Sequence, residues 1–474
     1  MSTPVILWLR RDLRLTDHPA LVAAAASGPV IPIFIRDAAV DRLGAAAKWR
    51  LGEALRVFGA RLADEGSRLI LRRGNALDVL REVIAETGAE AVHWSRLYDP
   101  DAIERNTDVK SALKDAGITV ESHAGHLLFE PWTVETKAGD PYKVYSPYWR
   151  AVAERDPGAP LSAPTLKAPR DWPDSDDLAD WELGAAMNRG AEVLARYSDP
   201  GEKAAQTRLG VFIRDKVAHY KQARDMVAED GTSGMSEYLT YGEISPRSLW
   251  AAGQRAMDEG KAGAETFLKE VVWREFAYHL MYHFPRIVDR NWREEWDGFP
   301  WKDDERLAEV KAWKQARTGV PFVDAALREM YVTGRMHNRA RMIVASYLTK
   351  HCMIHWRVGQ QWFEDCLTDW DPASNAMGWQ WVAGSGPDAA PYFRIFNPET
   401  QAEKFDPEGD YRDRWVAEGQ DDPPETARDY FAAIPRAWKM DMHGNYPDTP
   451  IVGLKEGRDA ALDAYQNRPN AGED

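Results

Sequence analysis

With 474 residues, 44% of them hydrophobic and 28% charged, the chain exceeds one ordinary core and has the composition of a soluble globular protein of two or three domains. A net charge of −15 by itself argues against nucleic acid as a partner, although a whole-chain sum hides a local patch. Two cysteines, Cys352 and Cys366, exclude a disulfide framework, and no leader pattern or bilayer-length apolar run is found, so a reducing, cytoplasmic setting without a membrane is expected.

The first 130 residues alternate. Pro4–Arg10, Val30–Ile35, Arg68–Gly74, Ala89–Ser95 and Ile118–Gly125 are short apolar runs that predict buried strands. Ala- and Leu-rich helical patterns lie between them, as at Lys48–Glu65 and Asp78–Thr87. Strand–helix alternation at this spacing predicts βαβ units and a parallel, Rossmann-like sheet. Residues 131–200 dissolve into Pro, Asp and Trp-Pro segments such as SAPTLKAPRDWPDSDD, the composition of a long surface linker. From residue 201 to 474 a helical period dominates, without internal repeats or coiled-coil heptads. The expected architecture is an α/β domain (1–130), a linker (131–200) and an all-helical domain (201–474). Most of the 20 tryptophans fall after residue 270, so the helical part carries an aromatic demand that the first part lacks.

Four segments could carry chemistry. In DGTSGMSEYL, starting at Asp230, Gly231 and Gly234 permit close backbone approach, while Thr232, Ser233 and Ser236 put hydroxyls before a helix. Such a start suits a diphosphate, and equally an ordinary N-cap. In KEVVWREF, Glu270, Trp273 and Arg274 stand at i, i+3 and i+4 on one helix face, either a pocket wall for a flat polar ring or a surface pair beside a buried indole. In TGRMHNRARM, His337, Asn338, Arg341 and Met342 follow helical spacing between Arg335 and Arg339. Asn can make two-point hydrogen bonds to an amide-like ring edge and Arg grips phosphate, while a solvated basic face is the other reading. In DWDPASNAMGWQW, Asp369 and Asp371 on a Pro-containing turn suit helix capping, a salt bridge from Arg341 or bonds to a ring N–H. No His or Cys stands there at metal-ligand spacing, and no metal is expected. The stretch that follows, MGWQWVAGSGPDAAPYFRIFNP, crowds Trp379, Trp381 and Tyr392-Phe393-Arg394 among helix breakers, which makes it either an irregular wall of the core or the lining of a site for something flat.

Taken in this order, and with WLRRDLRLTDHPAL at Trp8, ARTGVPFVDAALR and AEKFDPEG, these segments make the chain resemble the DNA photolyase/cryptochrome family, and closely the bacterial cyclobutane pyrimidine dimer photolyases. The resemblance implies a helical domain holding FAD in a bent form. Tyr220 and Thr232, Ser233, Gly234, Met235 and Ser236 match positions that hold its phosphates and ribityl chain. Asp369, Trp370 and Asp371 match the loop around the ring, Arg341 its paired arginine, and Asn375 the asparagine beside the flavin N5, where plant-type cryptochromes usually have aspartate. Trp379, Trp356 and Trp301 match the electron-transfer chain, with Trp313 the alternative to Trp301.

The same resemblance implies UV-damaged DNA as partner. Trp273 and Trp381 match the aromatic walls around a flipped-out dimer, Glu270 and Asn338 its hydrogen-bonding partners, and Met342 a packing contact. Arg224, Arg274, Arg339, Arg394, Gln401 and Lys404 match DNA contacts, chiefly to the backbone. The implied activity is light-driven repair by a deoxyribodipyrimidine photo-lyase acting as a monomer; a cryptochrome-like photoreceptor without repair is the alternative. Glu104 resembles an antenna-binding glutamate, so methenyltetrahydrofolate is the first expectation for a second chromophore, ahead of a deazaflavin or a second flavin, although Ile103 replaces the asparagine that often precedes it. Arg335 and Met377 also depart from the family pattern.

Overall fold

A computed structural model describes residues 3–388 and 393–468; Tyr392 lies outside the described residues. The chain divides into two compact units. One comprises residues through 186 together with 199–221 and 233–285, and the other 187–198, 222–232 and the residues from 286 onward.

The first unit is built on a five-stranded parallel sheet, in the order β3-β2-β1-β4-β5. Its strands are β1 (Val5–Leu9), β2 (Val30–Arg36), β3 (Ile70–Arg73), β4 (Ala91–Ser95) and β5 (Thr119–His123), each inside a run predicted from sequence except that β2 extends one residue further, to Arg36. The period-2 alternation of a strand feeds two cores. Val5, Leu7 and Leu9 of β1 join one with Val30, Phe34 and Leu55, while Ile6 and Trp8 join the other with Ile33, Val92 and Trp94. Full burial of such side chains is worth about 1.5–3 kcal/mol each, which is why these strands read as continuous apolar runs. Pro32 sits within β2 because pairing with β3 begins only at Ile33, so its missing N–H costs that ladder nothing.

The Pro- and Asp-rich stretch is stitched to this sheet. The Val30 N–H donates to Lys167 O at 3.0 Å, the Asp176 N–H donates to Leu71 O at 2.8 Å, and Trp181 is buried in the first core. The Asp176 bond covers the outer edge of β3, which would otherwise present unpaired backbone, and the Lys167 bond satisfies the first residue of β2 ahead of its pairing with β3. The unit also holds the helices Glu202–Val211, Ser236–Tyr241, Pro246–Asp258 and Ala264–His283.

Within the described residues the second unit is helical. Pro321–Thr333 starts with Pro at its first position and packs against Asp410–Trp415 and Glu425–Ala433. Helix Pro372–Ala383 packs against both Asn338–Ser346 and Trp356–Cys366, so residues from three sequence segments meet along it. Among the described residues no helix is long and apolar enough to cross a membrane.

Candidate functional site

In the first unit the helix Ala264–His283 carries Glu270, Trp273 and Arg274, all half-buried. Trp273 lies flat on Tyr145, with ring centroids 3.6 Å apart and planes 5° apart, and the Tyr145 hydroxyl donates to Lys269 O at 2.7 Å. One face of the indole is therefore occupied. Tyr145 comes from the Pro-rich stretch, and only its folding back brings it here. Arg274 is turned inward. It donates to His126 O at 2.9 Å, stands 3.0 Å from His126 Nε2 and covers the Tyr278 ring at 4.8 Å. Burial first, and then the Arg274 charge, hold His126 well below its ordinary pKa, so it stays neutral beside the guanidinium. A phosphate contact from Arg274 requires that guanidinium to leave His126.

Next on this helix, Glu275 is fully buried and accepts from the N–H groups of Leu128 (2.8 Å) and Phe129 (3.3 Å). Burial pushes its carboxyl up to about 7 despite the neighbouring Arg274.

Tyr220 is buried, its ring edge-on to Phe212 at 5.3 Å and Phe267 at 6.2 Å. Ser233 O accepts from Arg208 Nε at 2.9 Å, and Gly234 has φ +68°, so the segment turns there. Met235 is buried, Ser236 is exposed, and Ser233 and Gly234 are half-buried. What holds this turn was not visible in the sequence. Arg50 lies buried between Glu237 and Glu243, donating to both carboxylate oxygens of Glu243 (3.1 and 2.5 Å) and to Glu237, while Glu243 also accepts from the Gly201 N–H at 2.8 Å. Two desolvated carboxylates on one guanidinium tie helix Ser236–Tyr241 to helix Ala45–Asp64. Glu104, the antenna candidate, is exposed on helix Pro100–Asp115.

In the second unit Arg341 bonds both oxygens of Asp369, at 2.9 and 2.8 Å, and also donates to Met336 O at 2.9 Å. Gly334 sets this up. At φ +67° it ends helix Pro321–Thr333, and a Cβ there would stand 2.4 Å from the Thr368 methyl. Thr368 instead donates its N–H (2.8 Å) and hydroxyl (3.0 Å) to Gly334 O, which seats Asp369 one residue on. Asp371 caps helix Pro372–Ala383 through the Ser374 N–H at 2.7 Å, and the buried Asn375 amide donates to Asp371 O at 3.0 Å. Trp370 is buried beside them.

Trp379 lies over Gly359, where a Cβ would stand 2.1 Å from the ring, so only glycine lets the indole seat on helix Trp356–Cys366. Trp356 begins that helix, fully buried, with its N–H on Asn291 Oδ1 at 2.8 Å. His355 links it to Trp301, with centroids 5.4 and 5.3 Å apart, and Trp301 in turn stacks near Trp296 at 5.6 Å. Trp313, the alternative to Trp301, is fully buried and edge-on to Trp379 at 6.3 Å. The two are thus not equivalent candidates: Trp301 lies beside the neighbour of Trp356, and Trp313 beside Trp379 itself.

Asn338 is exposed at the start of helix Asn338–Ser346, which His337 caps through the Arg339 N–H at 3.1 Å. Arg339 bonds Asp225 at 2.7 Å, stands over Phe405 at 4.5 Å and reaches the Met342 sulfur at 3.7 Å. Trp381 is half-buried with its N–H on Asp388 O at 3.1 Å. Arg394 and Lys404 are exposed, and Arg224, Gln401, Thr232 and Met377 half-buried. Arg335 donates to Tyr197 O, so it clamps the 187–198 segment to the rest of this unit. Asp369, Asp371 and Asn375, nearly covered yet polar, together with Arg341 and a wall of indoles, form a donor set that fits an aromatic ring system with imide-like edges.

Two family models match: the DNA photolyase model over residues 5–167, and the FAD binding domain of DNA photolyase over residues 267–467. A deoxyribodipyrimidine photo-lyase of Agrobacterium fabrum is 45% identical over 98% of this chain and 98% of its own. The crystal structure of a bacterial class III photolyase from Agrobacterium tumefaciens superposes with a TM-score of 0.89 at 44% identity, covering 98% of this chain and 97% of that one. Cryptochrome-2 of Arabidopsis thaliana is 33% identical over 96% of this chain and 74% of its own. A likeness of this extent, over sheet and helices alike, places the chain in the DNA photolyase family.

Proposed function

We propose that this protein is a deoxyribodipyrimidine photo-lyase that repairs cyclobutane pyrimidine dimers in UV-damaged DNA, using FAD and light. The observation that carries this reading is the helix Pro372–Ala383, which bears Asn375 beside the Arg341–Asp369 pair, Trp379 buried among aromatics, and Trp381 half-buried two residues on. Reduced FAD, when bound, supplies the electron on excitation by near-UV or blue light and takes it back once the ring has split, so the reaction has no net redox change.

The protein's own residues supply geometry and electrostatics. Tyr220, the hydroxyls of Thr232, Ser233 and Ser236, and the backbone at Gly234 and Met235 hold the phosphates and ribityl chain. Arg341, Asp369, Trp370, Asp371 and Asn375 surround the ring. Trp273 and Trp381 stack on the extruded dimer, which is cheaper to flip than an intact pair because its stacking is already impaired. Glu270 and Asn338 hold the pyrimidine edges through hydrogen bonds that strengthen as charge develops there, and Met342 packs beside them. Arg224, Arg339, Arg394, Gln401 and Lys404 position the DNA backbone, while Arg274 stays on His126. Trp379, Trp356 and Trp301 return the cofactor to its reduced form. Residues 1–130 form the antenna domain, with methenyltetrahydrofolate near Glu104 the first choice of chromophore; residues 131–200 are the connection and 201–474 the catalytic part. The protein works as a cytoplasmic monomer.

The test is to reduce the purified protein, illuminate it with a thymine-dimer oligonucleotide, and follow the ultraviolet absorbance of the bases. A light-dependent rise, as the pyrimidine double bonds return, is expected. A yellow protein that photoreduces yet gives no rise would instead be a cryptochrome-like receptor. Trp381→Ala should weaken binding to dimer-containing DNA while FAD stays bound, and Trp356→Phe should block photoreduction while sparing repair by enzyme already reduced.

A further inference from the structure

One face of β4 and β5 carries a cluster that the photochemistry leaves unused. The strand register pairs His93 with Glu121 and Ser95 with His123, so His93, Glu121 and His123 project from one face of the sheet. Their neighbours Val92, Trp94 and Val120 point the other way, into the second core. His93 is buried, His123 half-buried and Glu121 exposed, so the cluster runs from the interior to solvent at the outer edge strand.

His93 Nδ1 lies 3.0 Å from His123 Nε2, and the two rings meet edge to edge with planes 17° apart and centroids 5.2 Å apart. Glu121 Oε2 lies 4.0 Å from the first nitrogen and 3.8 Å from the second. In a triangle with sides of 3.0, 4.0 and 3.8 Å, the point equidistant from the corners is about 2.1 Å from each. That is the bond length Zn²⁺ makes to imidazole nitrogen and to carboxylate oxygen.

We propose that His93, Glu121 and His123 bind one late first-row divalent cation, Zn²⁺ foremost, at the outer edge of the N-terminal sheet. Two imidazoles and one carboxylate are ligands of intermediate hardness, suited to Zn²⁺, Cu²⁺ or Ni²⁺ rather than Mg²⁺ or Ca²⁺. Three protein ligands, the last of them exposed, leave a position for water. A proton shared between the two rings would satisfy the nitrogens alone. A cation would engage the Glu121 carboxylate as well. The nearby cations Arg96 and Lys110 are engaged by Ser122, Arg96 with its carbonyl at 2.5 Å and Lys110 with its hydroxyl at 3.2 Å. On binding, the metal takes the place of the shared proton, which moves to the other nitrogen of its own ring, so no redox change is involved. The ion bridges β4 to the edge strand β5 and stabilises the folded sheet by mass action. The sequence expectation of no metal is revised here, because ligands 30 residues apart show no motif spacing until two strands pair.

The test uses the whole flavoprotein, stripped with a chelator and titrated with Zn²⁺ in a calorimeter, with the melting temperature followed in parallel. One equivalent should bind and raise the melting temperature. His123→Ala should abolish that binding and Glu121→Gln weaken it by more than about tenfold, both with unchanged flavin absorbance. With Cu²⁺ in place of Zn²⁺, the electron paramagnetic resonance spectrum should show coupling to two imidazole nitrogens. Failure to saturate with Zn²⁺, equal affinity in wild type and both variants, or a Cu²⁺ spectrum without nitrogen coupling would each overturn the assignment.

Discussion

Arg274 and Arg339, one in each unit, were assigned the same task from sequence, yet their surroundings differ in kind. Arg274 has an 11% exposed side chain and is held by a buried, neutral histidine and its carbonyl, with the buried Glu275 carboxyl 3.7 Å away. Arg339 is 20% exposed and faces a carboxylate, Asp225, that is itself 36% exposed. Pulling Arg274 away strands buried polar groups, whereas Arg339 can exchange one anion for another at little cost. An arginine's partner and depth decide whether it is part of the scaffold or available to a phosphate. Arg50, fully enclosed with Glu237 and Glu243, is the scaffold extreme.

Substitutions can break or sharpen this contrast. The largest effect is expected from Arg50→Ala, which leaves two buried carboxylates unpaired and should cost about 3–5 kcal/mol in a denaturant titration, or prevent folding. A smaller effect belongs to Glu275, whose carboxyl is raised to about 7 by burial. A raised acid stabilises the fold while protonated, and that contribution is lost as pH rises from the ordinary carboxylate range through about 7. Glu275→Gln, a mimic of the protonated form, should therefore gain about 1–3 kcal/mol relative to wild type between pH 5 and pH 8. A stability difference that does not change with pH would refute it.

Arg274→Ala should cost about 1–2 kcal/mol of stability through the lost His126 bonds, with the salt dependence of DNA binding unchanged. Arg339→Ala should do the reverse. Its stability should shift by less than about 1 kcal/mol, while the slope of log affinity against log salt falls by about one. Equal salt slopes for the two variants would erase the distinction between them.

Much of the molecule was legible in advance because the signals are local. The β1 and β2 strands alternate between two cores residue by residue, and apolar runs of that kind announce a parallel sheet. The cap at Asp371 and the pairing of Arg341 with an aspartate of the 369–371 turn were likewise among the options the segment itself offered. Tyr145 against Trp273 was not, since a Pro-rich stretch carries no periodicity to say which ring it will cover. Nor was the division between Trp301 and Trp313, because spacing along the chain says nothing about which indole ends beside Trp379 and which beside His355.

By itself the sequence determined the class of fold and the family, and it nominated the residues proposed here for a flavin and a damaged base, because composition, periodicity and ordered motifs are properties of short segments. The tertiary structure alone decided which charges are buried, that Arg335 is a clamp on Tyr197, that Arg274 faces His126, and that His93, Glu121 and His123 converge. Those outcomes depend on distances between segments far apart in the chain, and on the desolvation that only a packed interior imposes.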